Sequence, residues 1–168
     1  MEDIYDGRLY REQFDNGGIL ADKRNISLTI NTDGVQVFKS PPSTFWPVYF
    51  CINELPLKLQ MKKENMILAG LWFERSKPEM LTFLEPFVAK LKELETGITI
   101  NNRKFGTFVS KAVLLLGMYD KPAKCAVQNF TQYNGMHGCG RCLYSLVEAL
   151  QLARMVMCMF SLTKLTTL

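Results

Sequence analysis

No basic, apolar leader opens this chain. It begins Met1-Glu-Asp-Ile-Tyr-Asp6, acidic where a secretory n-region needs positive charge. The expectation is a nuclear or cytoplasmic protein that is not secreted. There is also no long uninterrupted apolar run. The most apolar stretch, Tyr144 to Leu168, is broken by Glu148, Arg154 and Lys164, which argues against a membrane span. Five cysteines without a leader favour reduced thiols or a metal site over a disulfide scaffold. No internal repeat is present. Acid is scarce late in the chain, where Glu148 is the only carboxylate side chain after Asp120.

What is present describes an ordinary globular domain. The 168 residues are 48% hydrophobic and 21% charged, enough for one domain with a real core and too short for two large ones. The net charge of +4 is compatible with a nucleic-acid partner without requiring one.

The chain is organised around Ile26-Ser-Leu-Thr-Ile-Asn-Thr-Asp33-Gly34. Ile26, Leu28 and Ile30 alternate with Ser27, Thr29 and Asn31, the period of a half-buried strand. That strand runs into an acid, and strand ends are where rigid scaffolds display chemical groups. Alone, Asp33-Gly34 reads equally as a plain turn. Phe105 to Tyr119 is a second buried strand and also ends on an acid, Asp120. Two such strands would deliver half of a metal-binding carboxylate cluster.

Between them, Val35 to Phe38 continues the first strand or pairs back across the turn, and Lys39 to Thr44 is a loop. Phe45 to Leu55 is a strand in which Pro47 suggests an edge or an early position. Asn65 to Phe73 is a third strand. Ser76 is the candidate N-cap of a helix whose apolar positions run from Leu81 to Leu94 and end at Thr96-Gly97, with a kink or break expected at Pro86. A short helix is expected near Arg8 to Phe14 and another from Lys121 to Phe130. The order strand, strand, strand, helix, strand, helix is the opening of an α/β, RNase H-like mixed sheet. There the helix crosses over to a strand parallel to the first. Asp33 and Asp120 would then lie side by side.

These residues resemble the catalytic region of CACTA-type (En/Spm) DNA transposases. The likeness covers roughly residues 4–143. It rests on Ile4-Tyr-Asp-Gly7, Asn25-Ile-Ser-Leu-Thr-Ile-Asn-Thr-Asp-Gly34, Phe45-Trp-Pro-Val48 and Asn53-Glu-Leu-Pro56. It continues through Glu64-Asn-Met-Ile-Leu-Ala-Gly70, Lys77-Pro78, Leu84-Glu-Pro86, Asp120-Lys-Pro-Ala123 and Cys139-Gly-Arg-Cys142. The resemblance implies an enzyme that cuts and joins DNA at transposon ends. It would use two Mg²⁺ ions held by three acids, with Asp33 and Asp120 as the first two, and self-association into homo-oligomers is an added expectation. Carboxylates suit hard Mg²⁺, and paired ions activate the attacking oxygen and stabilise the leaving one. No third acid is evident, since Glu148 falls only a few residues after the cysteine pair. The expectation is a truncated or inactive transposase, or alternatively a domesticated module that binds DNA, zinc or protein without catalysis.

His137, Cys139 and Cys142 have zinc-knuckle spacing. One Cys-x-x-Cys is half a signature, so a Zn²⁺ loop and a plain glycine-rich loop both stand. Cys125 is a candidate fourth ligand, while Cys51 reads as core. The expected divisions are an approach segment at 1–24, a partial core at 25–135, the cysteine loop at 136–143 and an apolar tail at 144–168 outside the family region. The tail reads as a helix. Back-translated and read one frame over, it also gives a histidine after the cysteine pair, the mark of an altered reading frame. Lys58, Lys62, Lys63, Arg75, Lys77, Arg103, Lys104, Lys121 and Lys124 are candidate phosphate contacts. Glu54, Glu64, Glu74 and Glu79 are interspersed, which makes most of that set a solvated face. Trp46 and Trp72 are core candidates.

Overall fold

The computed structural model describes residues 4–39, 42–129 and 131. The chain divides into two compact units, Met1–Tyr119 and Asp120–Leu168. In order, the first contains α1 (Arg8–Glu12), β1 (Ile26–Thr32), β2 (Val35–Lys39), β3 (Pro42–Ile52), α2 (Leu57–Gln60) and β4 (Ile67–Glu74). It continues with α3 (Met80–Thr96), β5 (Ile98–Asn102), β6 (Gly106–Ser110) and β7 (Ala112–Met118). The second unit contains α4 (Lys121–Val127). The fold is α/β with a mixed sheet, as the element order predicts.

β3 is the centre of the sheet. It pairs antiparallel with β4 on one side and with β1 and then β2 on the other. β7 lies parallel to β1 on its outer edge. Leu28 and Ile30 of β1, Val48 and Phe50 of β3 and Ala112 of β7 form the buried core with Leu91 of α3. Phe83, Leu84, Phe87 and Leu94 extend the apolar stripe of α3 across the same sheet face. Between β6 and β7, the Lys111 N–H donates to Asn25 Oδ1 (2.8 Å) and its carbonyl accepts from Ile26 N (2.9 Å). There the chain leaves β5, its partner in a two-stranded sheet, and joins β1.

The opposite face of β1 is buried by hydrogen bonding. Ser27 Oγ donates to Glu54 Oε1 (2.6 Å), Thr29 Oγ1 to Asn53 Oδ1 (2.7 Å) and Asn53 Nδ2 to Ser27 Oγ (3.0 Å). The N-terminal segment closes over this network through the Tyr5 hydroxyl, which donates to the Asn53 carbonyl, and the Tyr10 hydroxyl, which donates to Glu54 (3.3 Å). β1 is therefore buried on both faces rather than on one, because its polar residues find partners.

Five further expectations change. Residues 42–44, expected in a loop, belong to β3. Pro47 lies within β3, a strand paired on both sides, rather than near an edge. The stretch from Phe105 to Tyr119 is two strands broken at Lys111, with Phe105 exposed at a turn. The N-cap of α3 is Glu79, not Ser76: its carboxylate accepts from Leu81 N (3.2 Å) and Thr82 N (2.7 Å). Beyond it the helix runs through Pro86 to Thr96 without a break.

Hydrogen bonding from Thr82 holds the Glu79 carboxyl below the usual glutamate range. A depressed folded value means the cap contributes above the unfolded pKa and is lost as pH falls through the folded one. The Glu79→Gln variant is therefore expected to melt lower than wild type at neutral pH and to lose less as pH is taken down. Melting curves recorded from neutral to acid pH check this, and identical acid slopes would contradict it.

Candidate carboxylate site

Asp33 stands where one long strand is interrupted. Thr32 pairs with Val48, and Val35 pairs with Phe45 in the same register, so Asp33 passes Pro47 and Gly34 passes Trp46. The Asn53 N–H donates to the Ser27 carbonyl (3.0 Å), which means the odd residues of β3 turn their N–H groups toward β1. Pro47 is the odd residue with none to give. The ladder lacks a rung beside Asp33, and the β1–β2 ribbon is broken there. Val35 to Phe38 thus continues the strand, and Asp33-Gly34 is not a hairpin turn.

The surroundings of this interruption are tight. A Cβ on Gly34 would lie 2.4 Å from Cε2 and Cζ2 of Trp46, so the indole rests on the glycine backbone. Trp46 is 4% exposed, and its Nε1 together with Thr32 Oγ1 is buried without a hydrogen-bond partner. Asp33 itself is exposed. The sequence assigns Trp46 to the core but does not reveal that its ring seats the residue after the acid.

β7 runs alongside the first half of this ribbon. Asn31 is opposite Met118, and Asn31 Nδ2 donates to the Met118 carbonyl (2.9 Å). Asp33 and Asp120 each follow that pair by two residues in sequence. Asp120 opens the second unit as the N-cap of α4, with Oδ1 accepting from Ala123 N (2.7 Å). It is exposed, and one capped oxygen leaves a carboxylate further lone pairs for a ligand.

Asp33 and Asp120 each carry the oxygen donor type that a hard divalent cation takes. Among the described residues no group of three His, Cys, Asp or Glu side chains is placed to hold a metal. His137, Cys139, Cys142 and Glu148 lie outside the described residues. Cys125 is buried on α4, and Cys51 is buried in β3 with its thiol pushed up by burial. Among the described residues no helix is long and apolar enough to cross a membrane.

The family model for transposase family tnp2 matches residues 6–164. The match covers nearly the whole chain and reaches through most of the apolar tail, and the protein belongs to this family. No curated protein matches it. The chain is thus a transposase-like protein of transposon origin, a class whose work is on DNA.

Proposed function

We propose that this chain carries the first part of an RNase H-like DNA strand-transfer site, of the CACTA type, with Asp33 and Asp120 as its cation-binding acids. The supporting observation is the parallel pairing of β1 with β7, in which each strand leads to one acid. The order β4, β3, β1, β7 with α3 as the crossover is the arrangement such a core requires. A divalent ion bound there would supply Lewis-acid activation of the attacking oxygen and stabilise the leaving one.

The residues of the chain do the placing. Asn31 ties the ends of β1 and β7 together, Pro47 opens the ladder beside Asp33, and Trp46 seats Gly34 so that the preceding carboxylate faces solvent. Asp120 is oriented by its own helix cap. A third acid is not among the described residues, so ion binding comes before cleavage as the quantity to measure.

The full chain is expected to bind Mn²⁺, and Asp33→Ala is expected to weaken that binding at least tenfold without lowering the melting temperature. Titration followed by electron paramagnetic resonance of free Mn²⁺ reads this directly. Equal Mn²⁺ affinity in wild type and Asp33→Ala would remove Asp33 from the site. Plasmid nicking in Mn²⁺, lost in the same variant, would extend the reading to catalysis.

A further inference from the structure

We propose that the β5–β6 hairpin is a duplex-DNA contact, with Arg103 and Lys104 on phosphates and the Phe105 ring against the bases. This names a DNA-binding surface for the function proposed above and rests on its premise that DNA is the substrate, but not on the carboxylate site.

The hairpin is built to hold its tip in one shape. Ile98 to Asn102 pair with Ser110 to Gly106, leaving Arg103, Lys104 and Phe105 as the turn. Gly106 closes it at φ +76°, the left-handed residue that three-residue hairpin loops call for. Asn102 Oδ1 accepts from Lys104 N (2.8 Å) and Phe105 N (3.1 Å). The tip is therefore ordered before any partner arrives, which lowers the entropic cost of binding.

Its chemistry is one-sided. From Gly97 to Tyr119 the chain contains Arg103, Lys104 and Lys111 and no Asp or Glu, unlike the mixed charges of α3. Phe105 is 71% exposed, and Lys104 Nζ lies 5.3 Å from its ring centroid. An exposed aromatic ring preceded by two cations is a poor solvent-facing turn, but it matches a partner that offers both phosphate charge and apolar base edges, as the thymine methyl groups of a major groove do. Asn101 and Thr107, hydrogen-bonded to each other (2.8 Å), present polar groups on the exposed face of the ribbon. A two-stranded ribbon is narrow enough to enter the major groove.

The test uses the full chain in EDTA, where no metal-dependent cleavage occurs, and a fluorescein-labelled mixed-sequence duplex read by anisotropy across a salt series. Arg103→Ala with Lys104→Ala is expected to weaken binding and to reduce the slope of log K against log salt by about 2, one for each lost phosphate contact. Phe105→Ala is expected to cost about tenfold with the slope unchanged, the signature of a lost uncharged contact with base edges. Lys90→Ala with Lys92→Ala on α3 is the control and should leave both quantities alone. Unchanged slope and affinity in the tip variants, or no duplex binding by the wild type, would overturn the assignment. Failure of the carboxylate reading shows up as unchanged Mn²⁺ affinity in Asp33→Ala, and failure of the hairpin reading as unchanged duplex binding by the tip variants in EDTA, so the two are read by different measurements on different variants.

Discussion

Replacing Asn53 with leucine is expected to lower stability by about 3 kcal/mol, because buried polar partners lost singly cost about 1–3 kcal/mol each. Asn53 is 2% exposed and serves four neighbours at once. Its Oδ1 accepts from Thr29, its Nδ2 donates to Ser27, and its backbone carbonyl accepts from Tyr5 and from Gln60 Nε2 (2.9 Å). Leucine has the same branched four-atom skeleton and is the larger residue, so no cavity is made and the lost contacts are polar. Thr29 would keep a buried hydroxyl with no acceptor. The Ser27 hydroxyl would lose one of its two partners.

A fall in melting temperature of roughly 10 °C is the expected size for such a loss in a domain of this length. The double variant Asn53→Leu with Thr29→Val should recover part of that loss, since removing both partners leaves nothing stranded. A single variant that melts like wild type would show that the network contributes little. Trypsin supplies a second readout. Cleavage after Arg8 and Arg11 of α1 should stay near the wild-type rate in folded Asn53→Leu, because Tyr5 bonds the backbone carbonyl that leucine keeps and Tyr10 bonds Glu54.

Much of the sheet was legible because its signals are local. Alternation marked β1, aromatic and branched residues marked β3 and β4, and helical spacing marked α3. What the sequence hid depends on who pairs with whom. Pro47 signals an edge when read alone, yet its missing N–H is accommodated inside the sheet because the chain opposite is the interruption at Asp33. Ser76 is a sound cap by type, but Glu79 reaches two free N–H groups and the helix starts from it. Lys111 looks continuous with the apolar run around it, and only the bonds to Asn25 and Ile26 show the chain changing partners there.

The candidate site divides the same way. Strand ends pointed to Asp33 and Asp120, and the parallel pairing of β1 with β7 is the part of that expectation the fold carries. The capping of α4 by Asp120 was visible in principle. Asp120-Lys-Pro is a helix start, with a capping acid two residues before the proline. Phe105 was hidden by its apolarity. Hydropathy assigns it to a strand interior, whereas Asn102 ahead of it and Gly106 behind it make a turn.

The Gly34→Val variant tests whether the indole of Trp46 fixes the backbone beside the acid. Gly34 is not in the left-handed region, so its conformation is open to any residue and the demand for glycine is one of space. Valine would drive its Cβ to 2.4 Å from two indole carbons and 2.9 Å from Nε1. Trp46 cannot step aside cheaply. It is buried and pairs across the ladder with Trp72, whose ring meets Phe83 of α3 at 5.9 Å. Overpacking of this kind costs about 1–3 kcal/mol. The expected result is a melting temperature lower by roughly 3–10 °C, a changed tryptophan emission spectrum and weaker Mn²⁺ binding in the protein that remains folded. Trp46→Leu in the same chain should restore much of the stability by making room, which separates crowding from any loss of backbone freedom. It should not restore Mn²⁺ affinity, because the ring that seats Gly34 would be gone. If Gly34→Val melts like wild type, the indole does not rest on this glycine, and the geometry that turns Asp33 outward must come from Pro47 alone.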